Sequence, residues 1–206
     1  MNIKIKADGI THGFSGSRNL FDSVSFEVNG GEVFGIYGKN GSGKSTMLKA
    51  LFGLLHLKKG KTSISLDCKE LPRDEYSQYV GFAAPYINLY EEFTAPELLD
   101  VVGKLRGTER NPALESPILE KFMLEGQKYK PIKAYSSGMK QRAKLMIATY
   151  FNPLVLFLDE PGSNLDDIGV NLVNSLVKEY AEAGKIVLIA TNESREKALC
   201  TNSLSL

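Results

Sequence analysis

Cysteine is scarce, with Cys68 and Cys200 the only two in 206 residues. Two scattered thiols cannot form the disulfide framework of a small secreted domain, so the chain reads as reduced and cytosolic. Charge of one sign is also missing: 25 basic against 24 acidic residues leave a net charge of +1. That balance gives no electrostatic footprint for nucleic acid or acidic lipid. No apolar run approaches the roughly 20 residues that span a bilayer, and "MNIKIKADGI" lacks the apolar centre of a signal peptide. Repeats, low-complexity tracts and long linkers are absent as well. What remains is 43% hydrophobic and 24% charged, ordinary for a soluble globular protein of one large domain or a core with a small appendage.

"IKIKADGI" and "SVSFEV" alternate apolar and polar residues, which predicts antiparallel strands with one wet face. "GEVFGIYG" is more evenly apolar and ends at glycine, as a central strand does. From Lys44 to Leu55 the residues Met47, Leu48, Leu51, Phe52 and Leu55 form one helical stripe. "KTSISLD" and "YVGFAAP" are short strand candidates. The pattern turns helical from Glu97 to Glu125, broken by "RGTERNP" with Pro112. Met139, Ala143, Met146, Ile147 and Tyr150 mark another helical face. "LVLFLDEP" and "KIVLIATN" are continuous apolar runs like buried parallel strands, with Ile168 to Ala183 as the crossover helix between them. Strands and helices alternate, so the expected fold is α/β with a largely parallel sheet and an antiparallel β edge. Residues 87–135 read as a helical insertion between core segments 1–86 and 136–206. "SLSL" is expected to be the last strand, with no regulatory C-terminal domain after it.

Residues Gly38 to Ser45, "GKNGSGKS", match G-x-x-x-x-G-K-[ST] between a predicted strand and a predicted helix. Gly38, Gly41 and Gly43 let the loop through Lys39, Asn40 and Ser42 fold tightly, with its N–H groups facing phosphate oxygens. The helix dipole adds attraction at Thr46 and its neighbours. Lys44 is placed to reach β- and γ-phosphates, and the Ser45 hydroxyl to ligate Mg²⁺. "LVLFLDEP" delivers Asp159 to the carboxyl end of a buried strand, where open α/β sheets place ligands. Asp159 suits Mg²⁺, and Glu160 beside it could polarise the water that attacks a γ-phosphate. A third stretch, "YSSGMKQR" (Tyr135 to Arg142), opens a second helix with no acidic residue in its first turn. Taken alone it is an ordinary N-cap.

These three stretches together resemble the ATP-binding cassette family, a branch of the P-loop NTPases with a RecA-like mixed sheet and a small helical subdomain. The resemblance covers nearly the whole chain. In that family a signature at a helix start binds the γ-phosphate held by the phosphate loop of a second subunit, and "YSSGM" matches it at Ser136 and Gly138. Phe14 in "THGFSG" matches the aromatic residue that stacks on adenine, although by composition alone it reads as core. Asp166, in "SNLD", matches a loop that crosses the dimer interface, and it also suits a plain helix N-cap. The resemblance implies ATP and Mg²⁺ as cofactors, a homodimer or heterodimer, and integral-membrane permease subunits as partners. It places the chain in the cytoplasm, peripheral on the inner face of the membrane through its permease. No nucleic-acid partner is expected.

The family pattern is broken in three places. The switch histidine is replaced by Asn192, which can hydrogen-bond but cannot hold a proton near neutral pH. Tyr86 stands where a glutamine is expected after "VGFAAP". Ser137 and Met139 replace glycine and glutamine in the signature, a variant similar to that of export-type subunits of the haem- and multidrug-exporter branches. The leading expectation is therefore the ATPase subunit of an exporter, turning over slowly because of Asn192. An ATP-gated dimerisation switch stays open because Asn192 and Tyr86 replace polar machinery. A soluble cassette protein also stays open, but such proteins usually carry a second cassette, a coiled-coil insertion or an added domain.

Overall fold

Alternation and turn chemistry decide the first sheet. A computed structural model describes residues 2–14 and 18–206. Strands β1 (Ile3–His12) and β2 (Phe21–Asn29) pair antiparallel, with Ile5 opposite Val28 and Ala7 opposite Phe26. Ile3, Ile5 and Ala7 point inward, while Lys4 and Lys6 reach Glu27 on the outer face. β3 (Val33–Tyr37) leads through the phosphate loop into helix α1 (Lys44–Phe52). β4 (Lys59–Leu66) pairs with the other edge of β1 and β5 (Lys69–Glu70) with β4, closing a four-stranded antiparallel sheet ordered β2-β1-β4-β5. The antiparallel strands expected at one edge thus form a sheet of their own.

After helix α2 (Tyr76–Tyr79), β6 (Val80–Ala83) begins a second sheet that the chain leaves and re-enters. It runs through α3 (Ala95–Arg106), α4 (Glu115–Lys121) and α5 (Ser137–Tyr150) before β7 (Val155–Asp159) pairs parallel to β6. Crossover helix α6 (Asp167–Glu182), β8 (Ile186–Thr191), the short α7 (Ser194–Lys197) and β9 (Asn202–Ser205) complete it. The five strands are all parallel, in the order β6-β7-β8-β3-β9. The faces of β6, β7, β8 and β3 are covered, which is why those strands are almost wholly apolar, whereas edge strand β9 is mostly polar and exposed. Val155 and Phe157 of β7, with Ile186, Leu188 and Ala190 of β8, pack toward α1 and the antiparallel sheet. Leu156, Leu158, Val187 and Ile189 pack toward α5 and α6.

Local signals set the helix ends. α1 stops at Phe52 rather than Leu55 because Gly53, at φ 87°, turns its N–H back to the carbonyls of Lys49 and Ala50. α3 starts two residues before Glu97 because Thr94 and Glu97 form a capping box, the Glu97 carboxylate accepting from the Thr94 N–H at 2.7 Å. Between 87 and 135 the helices and helical turns are tied by charge. Glu115, buried, pairs with Arg110 and, at 2.7 Å, with Lys128, while Arg110 also meets Asp100 at 2.6 Å. Removing one member of a buried charge cluster leaves the others desolvated and unpaired. Glu115→Ala is therefore expected to cost about 2 kcal/mol. A lower urea midpoint with an unchanged slope would show it, and an unchanged midpoint would mean that the cluster is solvated in solution.

Candidate functional site

The phosphate loop is shaped by its glycines. Gly41 and Gly43 sit at φ 83° and 104°, a region that costs side-chain-bearing residues dearly. Gly43 is also the N-cap of α1, so no side chain covers the first turn, and that turn carries no acidic residue. Its free N–H groups and positive dipole end face the cleft, an arrangement that suits phosphate. Lys44 is buried, and its ammonium donates to the loop carbonyls of Gly38 at 2.8 Å and Lys39 at 3.2 Å. The Ser42 hydroxyl is buried without a hydrogen-bond partner among the described residues. A cleft of about 360 Å³ opens here, lined by Asn40, Gly41, Gly43, Lys44, Ser45 and Thr46, with Phe14 and Glu160 also on its wall. Phe14 is 60% exposed and stands edge-on to His12.

Strand β7 carries Asp159 to the floor of this region, buried at 2% exposure. Burial pushes its carboxyl above the usual carboxylate range and the Glu160 charge adds to this, against a hydrogen bond from Ser45 and the charges of Lys44 and Lys49. The Asp159 Oδ2 atom has no hydrogen-bond partner among the described residues. A buried carboxylate oxygen left open beside a serine hydroxyl fits a small hard cation whose remaining ligands are phosphate and water. Among the described residues no cluster of three or more acidic, histidine or cysteine side chains offers a dedicated metal cage.

Glu160 follows in a left-handed conformation, φ 45°, its N–H held by the Ala190 carbonyl of β8 at 2.9 Å. Non-glycine residues persist there only when their surroundings fix them. The turn aims Glu160 into two places at once. Besides the phosphate-loop cleft, it lines a second cleft of about 440 Å³ formed by Gly162, Ser163, Asn164, Asn192 and Glu196. Asn192, just beyond the end of β8, donates to the Asn40 side chain of the phosphate loop at 3.3 Å.

Tyr86 lies beside Asp159. Burial and the neighbouring Asp159 carboxylate both push its phenol up, and the Lys49 ammonium lies 3.9 Å from its ring centroid. An amide is thus replaced by an aromatic–cation pair next to the metal-suited carboxylate. Nothing in the sequence around Tyr86 signalled this arrangement.

Ser136 is the N-cap of α5, accepting from the Met139 N–H at 3.2 Å, and Gly138 abuts the Asn164 carbonyl. Neither lines the two clefts beside Glu160. Asp166 caps α6, accepting from the Gly169 N–H at 2.8 Å. Two anchors escaped sequence reasoning. Gln141 of α5 is buried and donates to the Pro161 carbonyl at 3.0 Å, and Glu196 of α7 is buried against the Gly162 N–H. Both sit in polar stretches where periodicity predicts exposure. Both cysteines are free thiols, and no helix of the described residues is long and apolar enough to cross a membrane.

Comparison with known proteins covers the same ground. The protein is 31% identical over 209 residues to an ABC transporter ATP-binding protein of Methanocaldococcus jannaschii, spanning 100% of this chain and 75% of the relative. It is 35% identical over 188 residues to the Nod factor export ATP-binding protein I of Burkholderia lata, spanning 90% of this chain and 62% of that one. A solved ATP-binding subunit of an ABC transporter superposes with a TM-score of 0.86 at 26% identity, over 98% of this chain and 85% of its own. The family model described as ABC transporter matches residues 21–163, a span that runs from β2 through the phosphate loop to the loop beyond Glu160. A match through both halves of the cleft, joined to likeness along the whole chain, makes this protein a member of the ABC transporter family and one of its ATP-binding subunits.

Proposed function

We propose that this protein hydrolyses Mg²⁺–ATP as one of two clamped subunits, and that the clamp drives an exporter through separate membrane-spanning permease subunits. The position of Glu160 carries this reading: one carboxylate faces the phosphate-loop cleft and the Asn192 cleft, beside the open oxygen of Asp159. Gly38 to Thr46 would cradle the phosphates, with Lys44 on the β- and γ-oxygens. Ser45 and Asp159 would hold Mg²⁺, which when bound neutralises charge developing on those oxygens. Glu160 would orient and polarise the attacking water. Phe14 on the cleft wall suits stacking against adenine, which needs only an aromatic face. Ser136 and Gly138 lie outside both clefts, which supports a role on ATP held by a second subunit, identical or similar. Asp166 would lie near that interface. Residues 87–135 are read as the helical subdomain that carries the signature at its end. Export is supported by the Burkholderia lata relative's name and by the form of "YSSGMKQR". The protein would then sit on the cytoplasmic face of the membrane through its permease.

Phosphate release that rises when the detergent-solubilised membrane partner is added would bear this out. ATP-dependent dimers that bind no membrane protein would favour the dimerisation switch instead.

Asn192 sets the expected speed. Its amide already donates to Asn40 and can turn to a phosphate oxygen, but it cannot shuttle a proton. Turnover is expected to be slow, by about 100-fold if a general acid–base contribution is missing. Asn192→His should raise the hydrolysis rate with little change in ATP affinity, and Asn192→Ala should lower it, the pattern of a group acting mainly in the transition state. Steady-state phosphate release of the three proteins decides this. Equal rates would make Asn192 a bystander.

A further inference from the structure

Glu196 has no part in the chemistry described so far, yet it is buried at 4% exposure four residues after Asn192. Its Oε1 accepts from the Gly162 N–H at 2.7 Å, and its Oε2 is buried without a hydrogen-bond partner among the described residues. The fit is close: a Cβ on Gly162 would stand 2.8 Å from that Oε1. Gly162 lies two residues beyond Glu160, in a loop whose backbone is left-handed at Glu160 and again at Asn164. Three ties hold this loop, and they come from three elements. The Ala190 carbonyl of β8 takes the Glu160 N–H, Gln141 of α5 donates to the Pro161 carbonyl, and Glu196 of α7 takes the Gly162 N–H. The last is accepted by a carboxyl that burial pushes above the usual carboxylate range and that the Thr191 hydroxyl and the Gly162 N–H hold down. It also bridges the cleft, joining the loop after Glu160 to the segment that carries Asn192.

We infer that Glu196 is a positioning residue, whose carboxylate fixes the Gly162 backbone and through it the aim of Glu160 toward the phosphate-loop cleft. This rests on the reading of Glu160 as the group that activates water. A burial role alone would be met as well by an apolar side chain. An N–H acceptor is needed only if the loop must be held at one setting. A misplacement of the order of 1 Å costs about 100-fold in a step that depends on alignment.

Glu196→Ala is expected to lower kcat for ATP hydrolysis about 10- to 100-fold, with KM and ATP affinity within about twofold of the unaltered protein. Glu196→Gln keeps a carbonyl oxygen for the Gly162 N–H and should restore most of the rate. Amide hydrogen exchange gives a readout that needs no turnover: Gly162 should lose protection in Glu196→Ala and keep it in Glu196→Gln. Wild-type kcat in Glu196→Ala, or equal losses in both variants, would overturn the inference, and so would unchanged exchange at Gly162. If the unaltered protein releases no phosphate while the exchange pattern holds, the hydrolysis reading fails and the loop anchor stands.

Discussion

Glu160→Gln is expected to bind ATP as tightly as the unaltered chain and to release phosphate at least about 100-fold more slowly, the low end of what a positioned general base supplies. Glutamine has the same shape and takes the same left-handed backbone no less readily, so the φ of 45° should survive the change. What is lost is the carboxylate that lines both clefts and is proposed to polarise water there. Removing a negative charge beside Asp159 also eases the electrostatic crowding of that buried carboxyl, so nucleotide binding should not suffer. With hydrolysis blocked, the clamped form has no exit, and light scattering in the presence of ATP should report a dimer. Full activity in this variant would remove Glu160 from the mechanism. A chain that stays monomeric at high protein and ATP concentration would exclude the homodimer and leave a heterodimer with a second ATP-binding subunit.

Lys44→Ala is expected to weaken ATP binding at least tenfold. A hydrogen bond to a charged group contributes about 1.5–3 kcal/mol, and each 1.4 kcal/mol is a factor of ten in affinity. The buried ammonium has a second task, because it bridges the Gly38 and Lys39 carbonyls from within the loop. If Lys44 binds phosphate as proposed, nucleotide binding would exchange part of this internal bonding for phosphate oxygens. Alanine loses both the cation and the brace. Calorimetry at fixed Mg²⁺ measures the effect, and unchanged affinity would show that the nucleotide binds elsewhere.

The phosphate loop was legible because all its groups fall on nine consecutive residues between a strand and a helix. Strands β7 and β8 were legible because a strand covered on both faces must be apolar at every position, and "LVLFL" and "IVLIA" are. Alternation in β1 and β2 revealed antiparallel pairing but not that these strands, with β4 and β5, make a separate sheet, since partner choice is not encoded in period. The contacts that complete the site join distant segments. Asn192 meets Asn40 across 152 positions, and Glu196 meets Gly162 across 34. Neither carries a local signature: Asn192 and Asn40 are exposed polar residues like many others, and buried Glu196 has the same periodicity as a glutamate in water. Tyr86 shows the limit of resemblance: the family pattern pointed to the position, but only packing set the phenol between Lys49 and Asp159.

Helix α5 and the loop after Glu160 are tied at two points, since Gln141 donates to the Pro161 carbonyl and a Cβ on Gly138 would stand 3.0 Å from the Asn164 carbonyl. In a head-to-tail dimer the tied pair would touch the far subunit's ATP at one end and steer water onto its own ATP at the other. Two binding events that bias one shared part are thermodynamically linked, and linkage is reciprocal. Each nucleotide would then report its presence to the other, and the rate of phosphate release would rise with ATP concentration along a sigmoid rather than a hyperbola.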